Sequence, residues 1–284
     1  MIHTIIKTAM LAVIGLSLLL FVLGFNRSNV VYKDQLAVLM YHHVYDQDTS
    51  SSTITTKLFS DQLALLKNKG YHFISLQQMK DFLQGASIPE NAVLVTFDDG
   101  YESFYDNAYP ILKEMAIPAV NFIITDSLEH PQKDIPKKMS RNQIKAMLSD
   151  SALIEVQCHT DSLHNKNAEG KALIVSHLSL SGSIETDAQY KQRIVRDTQV
   201  CISKLEPLNS ASVDTLAYPY GIYNQEAADN IHEAGIQYAF TLLSKMTTRH
   251  VDHLRIPRIN AGSPNITPQA LEKSIQRSII PVNN

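Results

Sequence analysis

Between Leu36 and Gln276, short apolar runs and helical stretches alternate at least six times, with no repeat at a fixed period. Such alternation calls for parallel strands with helices packed outside them. The runs Leu36–Met40, Tyr71–Leu76, Val93–Val95, Ala119–Thr125, Leu153–Cys158, Thr215–Tyr218, Gln237–Leu242 and Arg255–Ile259 read as strands. Between them, Ser60 is an expected N-cap, and Ser140 with Gln143 forms an expected capping box. Ile194, Thr198, Cys201 and Leu205 make one apolar stripe on a helix over 187–205. An open doubly wound sheet would also fit. The expectation is an α/β fold, a distorted or incomplete (β/α) barrel, forming a single domain over residues 36–284.

What precedes that domain reads differently. Ala9–Phe25 is seventeen residues without a charge, flanked by Lys7 and Arg27. At a chain start this is a signal peptide or signal anchor over residues 1–29, with a polar linker at 30–35. Lys7 would stay on the cytoplasmic side, which puts the domain outside the cytoplasm, membrane-anchored or secreted. A formal net charge of -3 over 284 residues gives no electrostatic case for nucleic acid. Cys158 and Cys201 are too few for a disulfide framework, and their separation says nothing about pairing. Cys158 is expected as a small buried strand residue, with metal ligation as the alternative. Nothing in the sequence bears on oligomeric state.

Polar groups recur at one kind of place, the C-terminal end of an expected strand: His42 and His43, Asp98 and Asp99, His159, and Tyr220. In an α/β barrel those ends converge on one face. The run VLVTFDDG, Val93–Gly100, ends in two carboxylates that alternation can send to different partners; a turn that merely ends a strand is the bland alternative. His159 and His164 stand five apart. On a helix that spacing would set the imidazoles about 140° apart, whereas a loop can curl both rings towards one ion. Two imidazoles and one carboxylate is a hydrolytic zinc arrangement; two ordinary exposed histidines are the alternative.

Taken together and in order, VTFDDG, HTDSLH and LAYPYG resemble the polysaccharide deacetylases of carbohydrate esterase family 4, the NodB-type domain. The similarity is greatest to the exported subgroup that de-N-acetylates poly-β-1,6-N-acetylglucosamine of biofilm matrix, which also shares a MYHxV-like strand and histidines five apart. The resemblance implies that Asp99, His159 and His164 bind a metal, Zn²⁺ first, with Co²⁺ or Ni²⁺ as alternatives. It implies that Asp98 is the general base and that the Tyr220 backbone N–H stabilises the oxyanion, with Pro219 and Gly221 shaping that turn. The implied reaction releases acetate from an N-acetylglucosamine polymer; peptidoglycan strands, or a non-catalytic carbohydrate-binding module, are the competing readings.

Two departures stand out. Many family members carry an arginine before the proline of the third motif, and here Leu216-Ala217-Tyr218 occupies that place. Arg255 or Arg258 of the RIPRIN segment is the expected substitute partner for Asp98, with an ordinary ion pair or surface charge as the alternative. No histidine follows His253, so the family's late general acid is missing. His42 is the stand-in, against a purely structural role; His43 is set aside because it points to the other side of its strand.

Overall fold

The computed structural model describes residues 31–132, 135–180 and 182–281. The expected anchor lies outside the described residues. Among those described, no helix is long and apolar enough to cross a membrane. Most of the expected linker turns out to belong to the domain. The Tyr32 side chain is only 4% exposed, and its hydroxyl donates to the Ala92 carbonyl at 2.6 Å.

One nine-stranded sheet organises the described chain. Its strands are β1 (Gln35–Tyr41), β2 (His72–Phe73), β3 (Ala92–Phe97), β4 (Ala119–Ile123), β5 (Ile154–Cys158), β6 (Thr215–Ala217), β7 (Tyr238–Phe240), β8 (Thr247–Thr248) and β9 (Ile259–Asn260). The order runs β7-β6-β5-β4-β3-β1-β8, with β9 also on β1 and β2 on β3. Every pairing is parallel except β1 with β8. The sheet curls into a half-barrel, one of the architectures that the alternation of elements allows. The stretch from Ile256 to Asn260 spans the gap: Ile256 bridges to Phe240 of β7, while Ile259 and Asn260 pair with Leu39 and Met40 of β1.

Strand alternation divides the core in two. Ala37, Leu39, Tyr41, Val93, Val95, Phe97, Val156 and Cys158 belong to one cluster. Among the described residues six helices contribute to this outer layer: α1 (Thr56–Asn68), α3 (Tyr109–Glu114), α4 (Arg141–Asp150), α5 (Asp187–Leu205), α6 (Gln225–Glu233) and α7 (Pro268–Ser278), all but α2 (Leu76–Leu83). Leu36, Val38, Leu94, Val120, Phe122, Ala217 and Phe240 face the other way, with the helix Leu76–Leu83 supplying Met79 and Phe82 to that inner cluster. Both faces are buried, which is why the strands read as continuous apolar runs.

Local signals explain most boundaries. Ser140 and Gln143 do form a capping box. The first helix, however, begins at Thr56, because the Thr55 side chain accepts the Leu58 N–H; Ser60 lies inside the helix and is not its cap. Pro110 falls in the first turn of a helix over Tyr109–Glu114, where its missing N–H costs nothing, and a π-helical turn over Phe104–Ala108 precedes it. The two cysteines are joined: Cys158, on the outer face of β5, forms a disulfide with Cys201 of α5.

Candidate metal centre and active site

Phe97, Cys158 and Tyr41 all face the outer layer. Successive side chains alternate, so the next residue in each case, Asp98, His159 and His42, turns to the inner face at the sheet's C-terminal rim. The backbone confirms how tightly these ends are held: Asp98 N–H donates to the Tyr41 carbonyl at 3.0 Å, and His159 N–H to that of Ile123 at 2.9 Å. Asp99 and Gly100 then both take left-handed φ, 74° and 67°. Glycine suits the second position, since a Cβ there would come within 3.0 Å of Ile123 Cδ1.

Asp99, His159 and His164 come together, with one ligand atom from each lying within 4.8 Å of the others. His164 Nε2 is 3.1 Å and His159 Nε2 3.4 Å from Asp99 Oδ1. That oxygen is buried and has no hydrogen-bond partner. His159 Nδ1 donates to the Ala217 carbonyl at 2.7 Å, which leaves its Nε2 lone pair facing Asp99 and His164. Burial pushes the His159 imidazole below its ordinary pKa despite the nearby carboxylates, so it is neutral at pH 7. Burial alone would raise Asp99; the two imidazoles beside it outweigh that and hold the carboxyl well below its ordinary value. Two imidazole nitrogens and one carboxylate with an unused oxygen form the donor set that Zn²⁺ takes. The residues fit a divalent ion.

Asp98 faces Arg258. The guanidinium, 1% exposed, donates from Nη1 to Oδ1 at 2.6 Å and from Nη2 to Oδ2 at 2.8 Å. Its Nε is held by the Thr241 carbonyl at 3.1 Å, and it lies beside the Phe122 and Phe240 rings, 5.8 and 5.9 Å from their centroids. Burial would push Asp98 up, but Arg258 and His159 outweigh it and leave the carboxyl below its ordinary value. Arg255 instead bonds Gln225 near the surface. His42 Nε2 is 3.8 Å from Asp98 Oδ2, and its Nδ1 is buried without a partner. His43 turns away and meets Ser103 Oγ at 2.6 Å.

Tyr220 occupies a left-handed position, φ 58° and ψ 11°, in the turn Pro219–Gly221. The turn's bonds run from Gly221 N–H to Tyr218 O and from Ile222 N–H to Pro219 O, so neither uses the Tyr220 N–H. Its ring packs on His164, with centroids 4.8 Å apart. Gly221 cannot be otherwise, for a Cβ there would sit 2.2 Å from Leu242 Cγ.

Residues not singled out from sequence complete the surroundings. Burial and the nearby Asp99 carboxylate raise the Tyr101 phenol. Its ring carries the Lys138 ammonium 3.7 Å from the centroid. The clue was position, directly after the Asp-Asp-Gly turn. Beside His164 opens a pocket of about 250 Å³ lined by Tyr101, Asp126, Lys138, Asp161 and Asn165.

Residues 86–239 match the family model described as polysaccharide deacetylase. The chain belongs to this family. A poly-beta-1,6-N-acetyl-D-glucosamine N-deacetylase of Staphylococcus epidermidis is 30% identical over 239 residues, covering 84% of this chain and 78% of that one. Among solved structures, a de-N-acetylase from Aggregatibacter actinomycetemcomitans superposes with a TM-score of 0.76 at 25% identity, over 85% of this chain and all (100%) of the other. IcaB from Ammonifex degensii gives 0.71 at 30% identity, over 85% and 97%. This polysaccharide deacetylase is therefore a hydrolase acting on N-acetyl amide bonds, with the α/β half-barrel of its relatives. Arg258 lies beyond the matched stretch.

Proposed function

We propose that the protein removes N-acetyl groups from a β-1,6-linked N-acetylglucosamine polymer outside the cytoplasm, using Asp98 as general base and Asp99, His159 and His164 as metal ligands. The observation that carries the reading is the convergence of that triad and an Arg258-paired Asp98 on one rim, beside the Tyr220 turn, whose own bonds do not use the Tyr220 N–H. The names of the similar enzymes support the choice of polymer. The complete set of polar groups speaks against a mere binding module. The Cys158–Cys201 disulfide and the apolar Ala9–Phe25 both favour an oxidising, extracytoplasmic setting, with the membrane reached through the N-terminal segment.

A bound Zn²⁺, or Co²⁺ or Ni²⁺ in its place, supplies Lewis acidity towards the acetamide carbonyl and lowers the pKa of water. Asp98, ionised because Arg258 faces it, accepts a proton from the attacking water. Arg258 itself is a positioning group, holding both carboxylate oxygens in one plane. The Tyr220 N–H donates to the oxygen that gains charge as the carbonyl carbon becomes tetrahedral. His42, within 3.8 Å of Asp98 and 23% exposed at its side chain, returns a proton to the departing amine. The sugar keeps a free amine and acetate leaves. The pocket beside His164 has room for a neighbouring sugar unit.

The test is acetate release by the Zn²⁺-loaded chain from β-1,6-linked N-acetylglucosamine oligomers, with peptidoglycan as the comparison. Release from the oligomers is expected. Release from peptidoglycan alone would replace the proposed polymer. Asp98→Asn is expected to keep the metal and lose turnover, and His164→Ala to lose the metal.

A further inference from the structure

The segment between the two histidine ligands, Thr160 to Leu163, has to curl sharply to bring rings five residues apart to a centroid separation of 4.6 Å. Thr160 carries the strain of that curl, at φ 69°. The force holding it comes from helix α5. Asp197 Oδ1 accepts the Asp161 N–H at 2.9 Å and its Oδ2 accepts the Ser162 N–H at 2.7 Å. One carboxylate thus grips two successive backbone amides, and its residue is only 9% exposed. Four residues along the helix, Cys201 is bonded to Cys158, the residue immediately before His159. Three further on, Lys204 Nζ meets Asp161 Oδ1 at 2.7 Å. At about 100° per residue, Asp197, Cys201 and Lys204 fall within an arc of roughly 60° on the helix surface. That stripe meets the loop by a carboxylate and an ammonium, and the strand end just before His159 by a covalent bond.

We infer that Asp197 is a positioning residue for the metal centre, setting the mutual placement of His159 and His164 through the backbone between them. The inference rests on the proposed reading of those histidines as ligands. A carboxylate is the group the position requires. The two N–H donors need two acceptors, and an amide offers one oxygen while its NH₂ confronts the second donor. Neighbours that orient metal ligands in this way typically contribute a factor of about 10–100 to metal affinity.

The experiment measures the Zn²⁺ dissociation constant of the full chain by competition with a chromophoric chelator, and the visible absorption of the Co²⁺ form. Wild type is compared with Asp197→Asn and with Ile194→Ala, a cavity variant of the same helix at a fully buried side chain. Asp197→Asn is expected to weaken Zn²⁺ binding at least tenfold and to alter the Co²⁺ spectrum. Ile194→Ala is expected to lower the melting temperature and leave both metal readouts unchanged. Equal Zn²⁺ affinity and an unchanged Co²⁺ spectrum in folded Asp197→Asn would overturn the inference while leaving the metal site standing. Absence of binding by wild type would overturn the metal-site reading and this inference with it. Should Asp197→Asn fail to fold, Lys204→Met, which cuts the neighbouring tie to the same loop, is expected to weaken Zn²⁺ severalfold; unchanged affinity there overturns the inference too.

Discussion

Arg258 and Asp98 stand 160 residues apart in sequence and meet through two parallel hydrogen bonds in a place where neither is more than 3% exposed. A planar guanidinium matches a carboxylate in this way, and lysine would not. Removing one member of such a buried pair typically costs about 3–5 kcal/mol, because the other is left uncompensated.

The pairing has a consequence for pH dependence. With Arg258 in place, Asp98 lies below the ordinary carboxylate value, so it is ionised throughout the neutral range. In Arg258→Met the burial that raises its pKa remains and the chief opposing charge is gone. The folded-state pKa therefore moves up, and a smaller fraction is ionised at mildly acid pH. The acid limb of kcat/KM for acetate release, measured at saturating Zn²⁺, is expected to shift to higher pH. An unmoved limb would show that Asp98 is not the group being titrated.

The same pair contributes to acid stability. A carboxyl depressed in the folded state gives its full stabilisation above the unfolded value, about 3.9, and loses it as pH falls through the lower folded value. Asp98→Asn is expected to flatten the decline of stability in that acid window, read from urea midpoints across pH. A variant whose midpoints fall as steeply as those of wild type would remove Asp98 from the account.

At the third motif, Gly221→Ala forces a side chain onto Leu242 and into a φ of 64°. The turn must shift, carrying the Tyr220 N–H with it. Loss of one oxyanion donor costs about 10²–10³ in kcat, and a fall of about that size is expected. Combining Gly221→Ala with Leu242→Ala should recover part of it, whereas wild-type kcat in the single variant would dissociate this turn from catalysis.

His42 is tested by its leaving group. As general acid it should contribute about 10²–10⁴-fold to amide cleavage. His42→Gln is expected to lose most of its activity on an N-acetyl sugar and little on an activated aryl acetate, whose leaving group needs no proton. Equal losses on both would assign His42 a structural role.

The disulfide closes a separation of 43 residues. The chain-entropy account gives about 4 kcal/mol for a loop of that size. Cys201→Ala is expected to lower the denaturant midpoint by a corresponding amount, while reductant should affect wild type and leave the variant unchanged.

The convergence of Asp98, His159 and Tyr220 was legible because strand ends announce themselves locally, through apolar runs that stop at polar residues. That His164 would join Asp99 and His159 was open on spacing alone, since a separation of five fits two exposed histidines as well, and only the family resemblance favoured it. Arg258 could be named only as one of two arginines, since its pairing depends on how the sheet curls and not on any nearby pattern. Cys158 and Cys201 gave no sign of pairing because that requires knowing that the outer face of β5 packs on α5. Asp197 was missed outright. A lone carboxylate on a helix normally faces water, and the clue was that it adjoins the apolar stripe through Ile194, Thr198 and Cys201. Ser60 was misread as a cap because Thr55, one turn earlier, offers the same hydroxyl in a better place.

The segment that spans the gap between β7 and β1 is also the one that delivers Arg258. All three proposed metal ligands, and the proposed base, precede it in the chain. A polypeptide emerging N-terminus first would present Asp98 before its counter-charge. Only when the final strand docks does the carboxylate acquire the partner that keeps it ionised. A chain cut short before Arg258 would leave the Asp98 carboxylate without its counter-charge.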